Sequence, residues 1–124
     1  MGQNKTILYI DDNPVDRKLI SRVLQKSGLD VVLAEDAQVG LRLGQEVKPD
    51  LILLDILLPG ISGIEVCKRF KKTPTTQKIP IIFYTSIDTP KHLIDYVSYG
   101  AVDYLQKTMP PEDLVSAIKA ILKI

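Results

Sequence analysis

The sequence has a single cysteine, Cys67, among 124 residues. One thiol cannot close an internal disulfide, which fits a protein of the reducing cytoplasm. No apolar run is long enough to span a bilayer, and the polar start MGQNK does not read as a signal peptide. The formal net charge is only +1, so no whole-chain field draws the protein to nucleic acid or to an anionic membrane. Any strong charge must be local. Low-complexity segments, linkers and basic tails are also missing. The one histidine, His92, reads as a surface residue rather than a proton relay. What remains is ordinary for a globular chain, with 45% hydrophobic and 25% charged residues. The length is that of one domain, 1–124, which can bury roughly two-thirds of its unfolded surface in one core.

The rest of the chain is organised around Leu51 to Gly63, LILLDILLPGISG. Four apolar residues run into an acid, Asp55. So short a continuous apolar run predicts a strand buried on both faces, as in a parallel sheet. An acid at its end sits at the rim of the sheet, beside solvent but backed by low dielectric. Pro59 and Gly60 break the chain. Ser62 with Glu65 three residues later reads as a capping box that opens a helix.

The flanking segments repeat that plan. Thr6 to Ile10 is a predicted strand, followed by the polar break Asp11, Asp12, Asn13, Pro14. Val15, Leu19, Ile20, Val23 and Leu24 recur at helical spacing, and Gly28 closes that helix. Val31 to Ala34 is a second strand. Asp36 caps a second helix with Ala37, Leu41, Gly44 and Val47 on one face, and Pro49 ends it. The third helix carries Val66, Cys67 and Phe70 inward. A polar loop, Thr73 to Lys78, leads to a strand over Pro80 to Thr85. Thr89 and Pro90 open a fourth helix that stops at Gly100. Val102 to Leu105 is the fifth strand. Pro110 and Pro111 open the last helix, which buries Leu114, Ala117, Ile118, Ile121 and Leu122.

Five strands alternating with five helices predict an α/β fold, a doubly wound parallel sheet with right-handed crossovers. In such sheets ligands bind outside the carboxyl ends of the strands. The polar residues there are Asp11 and Asp12, then Asp55, then Thr85 and Ser86, then Lys107. Three carboxylates in one crevice repel, so one keeps a proton unless a cation joins them. Hard oxygen ligands favour Mg²⁺. A metal, an ammonium and a hydroxyl together make an electrostatic clamp for a phosphoryl group. A carboxylate can itself be the nucleophile. The set therefore reads as phosphoryl transfer onto an aspartate. Asp55 is the best candidate, because the other two acids leave one turn together.

With these residues in hand, the sequence resembles the receiver domain of bacterial two-component response regulators over essentially its whole length. YIDDNP matches the family's acidic pair, LLDILLPGISG its phosphoacceptor segment, IIFYTS its hydroxyl strand and DYLQK its lysine strand. The resemblance implies a flavodoxin-like (βα)5 sheet with strand order 2-1-3-4-5. It implies that Asp11 and Asp12 bind Mg²⁺ with Asp55, that the Leu57 carbonyl completes the metal shell, and that a histidine kinase or phosphotransfer protein phosphorylates Asp55. Thr85 and Lys107 would grip the phosphoryl oxygens. Tyr104 matches the aromatic that turns inward on activation. Output would pass through the fourth helix, fifth strand and fifth helix to a downstream effector. Such a domain catalyses its own phosphorylation and slow dephosphorylation but is mainly a switch.

The sequence departs from the family in two places. Thr108 stands where the family has Pro after the lysine. Ala117 stands where receivers that dimerise through the last helix often carry Arg, which weakens the case for a homodimer of that kind. A cis bond costs about 0.5–1 kcal/mol before Pro but roughly 2.5–4 kcal/mol before Thr, so Lys107–Thr108 is expected to be trans and Lys107 less firmly placed. The rival reading is an interaction module of the same fold that works without phosphorylation; the intact acids, Thr85 and Lys107 argue against it. A flavin domain would want Gly, Ser and Thr in the first loop, which here holds two acids.

Overall fold

The structure, a computed structural model, describes residues 4–87 and 95–124. Its five strands are β1 Thr6–Ile10, β2 Asp30–Ala34, β3 Leu51–Leu54, β4 Ile81–Thr85 and β5 Asp103–Gln106. All pair in parallel, in the order β2-β1-β3-β4-β5. The helices are α1 Pro14–Lys26, α2 Ala37–Val47, α3 Gly63–Lys72 and α4 Pro111–Leu122. The first part of the helix expected from Thr89, with His92, lies outside the described residues. Its last stretch is a turn that carries an Asp95–Tyr99 backbone bond and ends at Gly100 with φ +99.

Every residue of β3 is buried, as is every residue of β4, because helices cover both faces of the sheet. On one face α2 and α3 pack through Ala37, Val66, Cys67 and Phe70 onto Leu8, Ile10, Ile52 and Phe83. On the other, Ile20 and Leu24 of α1 meet Leu114 and Ile118 of α4 over Ile7, Leu51 and Ile82. The alternation of side chains along a strand sends neighbours to opposite cores.

Local readings are corrected in three places. Ser62 accepts from the Ile64 amide, and the reciprocal half of a capping box is not made; Glu65 faces Arg69 at 3.6 Å instead. On α2 Val47 is exposed and Gly40 buried, because the helix lies so close to the sheet that Ile10 fills the space a side chain at Gly40 would need. Val15 and Leu19 share the periodicity of α1 yet are exposed, since only Ile20 and Leu24 reach the core.

Candidate functional site

Backbone pairing sets the site. The Asp11 amide donates to Ala34, the Asp55 amide to Ile10 and the Lys107 amide to Thr85, so each residue continues the ladder one step past its strand. That step places the residues that follow β1, β3 and β5 along the carboxyl edge of the sheet. Oxygens of Asp11, Asp12 and Asp55 lie within 4.8 Å of one another. Asp11 and Asp55 are buried while Asp12 is exposed, so the group opens to solvent on one side. Three hard oxygen donors with an open side fit Mg²⁺, which keeps several waters when bound. Leu57 follows on the rim, half exposed, and its amide donates to Asp55 Oδ1 at 3.2 Å.

Lys107 reaches this group from the far end of the chain. Its Nζ lies 2.7 Å from Asp11 Oδ2 and 3.0 Å from Asp55 Oδ2. Burial pulls its pKa down, but the bonds to carboxylates overcome that and hold the ammonium charged above its ordinary range. Asp55 moves up from the ordinary carboxylate range. Burial is the main cause; bonds from Lys107 and Thr85 oppose it, and the Asp11 charge adds to it. The upward shift of Asp55 is thus chiefly a desolvation effect, with the Asp11 charge the smallest contribution. Thr85 is fully buried beside Asp55. Tyr104 is turned inward, 6.4 Å from the Phe83 ring, with its hydroxyl donating to the Ile87 carbonyl at 2.7 Å.

Asp11, Asp12, Asp55, Leu57, Thr85 and Lys107 meet at this edge, and Tyr104 packs beside it against Phe83. The Lys107–Thr108 bond is trans, since the described chain has no cis peptide. Lys107, which that bond leaves without a proline beside it, has a third carboxylate partner, Asp16 Oδ2, at 2.7 Å. Sequence reasoning missed Asp16. Its signal was an acid in the first turn of the helix that follows the acidic pair. Tyr9 was missed as well. Its buried hydroxyl donates to Asp11 Oδ2, and burial followed by that bond keeps the phenol protonated far above its usual range. The Asn13 amide donates to Asp11 Oδ1 at 2.9 Å, and Arg17 reaches the Asp11 carbonyl at 2.7 Å.

The family model for the response regulator receiver domain matches residues 7–119. The chain is 40% identical over 119 residues to the phosphate regulon transcriptional regulatory protein PhoB of Pseudomonas aeruginosa, a match covering 96% of this chain and 52% of that protein. It thus spans about half the length of that relative. Protein PilH of the same organism is 34% identical over 116 residues, covering 94% of this chain and 96% of that one. Among solved structures, the BeF3-activated N-terminal receiver domain of RstA from Klebsiella pneumoniae has a TM-score of 0.90 at 32% identity, covering 97% of this chain and 100% of that one.

Proposed function

The chain belongs to the response regulator receiver domain family of two-component systems, and on that premise we propose that Asp55 accepts a phosphoryl group from a histidine kinase or phosphotransfer protein. An Asp55 carboxylate oxygen attacks the phosphorus of the phosphohistidine. The P–N bond breaks, and the imidazole nitrogen keeps the electron pair. Asp11, Asp12, Asp55 and the Leu57 carbonyl would hold Mg²⁺, which when bound neutralises charge on the transferring group. Lys107 supplies a second cation and Thr85 a hydroxyl donor to the phosphoryl oxygens. Tyr104, with the surface around β5 and α4, carries the change to an effector. A cytoplasmic location belongs to this reading.

One observation carries it. Lys107 bridges to Asp55 at 3.0 Å inside a cluster of three acids, drawn from opposite ends of the chain. A solvated turn acid has no need of such a partner. With Mg²⁺ and acetyl phosphate the intact mass should rise by one phosphoryl group, and Asp55→Asn should not label. Equal labelling of that variant would sink the assignment.

A further inference from the structure

We propose that Asp16 is the positioning residue for Lys107, doing by an ion pair what a rigid Lys-Pro link would otherwise do. An ammonium has three N–H donors and no acceptor. Here it meets three carboxylates: Asp11 and Asp16 at 2.7 Å and Asp55 at 3.0 Å. Two of those acids belong to the cluster that could hold a metal, and Asp16 does not. With a divalent cation bound, Asp11 and Asp55 would serve as its ligands, and Asp16 would be the one acid of the three still committed to Lys107.

Asp16 is itself well placed to act as an anchor. Asn13 caps α1 by accepting from the Val15 amide at 2.9 Å and the Asp16 amide at 3.1 Å. Pro14 occupies the first turn and fixes its backbone. The carboxylate therefore stands on a stiff helix start. The Lys107 backbone is tied to Thr85 at 2.9 Å, while the next residue, Thr108, is exposed and supplies no ring to restrict the chain. Between a fixed backbone and a fixed carboxylate the flexible lysine stem has one direction to take, across the carboxyl edge toward Asp55. Its side chain is only 15% exposed, against 29% for Asp16. Removing the Asp16 charge leaves Lys107 held by Asp11 and Asp55 alone, so it competes with the metal for their oxygens.

The inference rests on the metal and phosphoryl site proposed above, and its test separates the two. Calorimetric Mg²⁺ affinities are measured for the wild type, Asp16→Asn, Lys107→Met and the double variant. Asp16→Asn should weaken Mg²⁺ binding more when Lys107 is present than when Met replaces it, by at least about threefold. Asp16→Glu, which keeps the carboxylate, should recover most of the loss. Equal fold-changes in the two backgrounds would overturn the proposal, because a carboxylate acting only as a distant negative charge gives that result. Acetyl phosphate labelling of the same wild-type preparation judges the phosphoacceptor reading on its own. A wild type that fails to label while the cycle shows coupling defeats that reading and upholds the role of Asp16.

Discussion

Asp55 meets two opposing demands. It is 3% exposed, and burial pushes its carboxyl up toward the protonated form; a nucleophile must be ionised. Lys107 and Thr85 supply the counter-pull, so losing either leaves a poorer nucleophile as well as a weaker phosphoryl grip. Under the proposed phosphoryl transfer, the resemblance to the receiver family implies that Leu57 and Ile87 would flank the path of the attacking water. Leu57 is 52% exposed at the rim, while Ile87 packs on the core, its amide donating to Thr85 Oγ1 and its carbonyl accepting from Tyr104. Neither side chain can orient a water. The Leu57→Asn, Ile87→Glu double variant should therefore lose its phosphoryl group about tenfold faster. Decay of the isolated phosphoprotein measures this; an unchanged or slower rate would contradict it.

At the scale of elements, the junction of β3 and α3 aims Asp55. Gly63 opens α3 with its amide on the Ile56 carbonyl at 2.8 Å. A Cβ there would collide with the Asp55 carbonyl oxygen and stand 2.8 Å from Ile56 Cα. Both contacts are to backbone and cannot swing aside. The start of α3 thus presses on the strand end that bears the nucleophile. Gly63→Ala should cost about 1–3 kcal/mol in urea unfolding and also slow labelling, because Asp55 must shift with its carbonyl. A variant as stable and as readily labelled as the wild type would refute that packing argument.

At the scale of the whole molecule, the core sets how stability responds to pH. Cys67 is fully buried, and its Sγ donates to the Tyr99 carbonyl at 3.3 Å, tying α3 to the turn before β5. Burial pushes the thiol up from about 9 to about 11. Below the lower value both folded and unfolded thiols are protonated, and nothing is lost. Between the two the unfolded chain releases its proton and the folded chain does not, so stability falls as pH rises, by up to about 2 kcal/mol. Cys67→Ala lacks that contribution and should lose less stability from pH 9 to pH 11. Denaturant unfolding of both proteins across that window checks it, and parallel losses would count against it.

The sequence by itself determined the alternation of strands and helices, the buried central strand and the acids, hydroxyl and lysine that end the strands. Each of these is a local pattern: an apolar run, a helical period, a Pro or Gly break, a polar residue one step past a strand. It also pointed to the trans bond after Lys107, because the intrinsic cost of a cis bond depends on whether the next residue is proline. Only the tertiary structure decided the rest. Which of Gly40 and Val47 faces inward depends on how closely α2 approaches Ile10. That Glu65 turns to Arg69 rather than back to Ser62 depends on side-chain rotamers. Asp16 and Tyr9 show the limit most clearly. Asp16 sits 91 positions from the lysine it holds, and Tyr9 reads as one more apolar strand residue. Their roles exist only because parallel pairing points the carboxyl ends of β1 and β5 the same way, across β3 and β4, with α1 beside them, and no local pattern encodes a contact between elements so far apart in the chain.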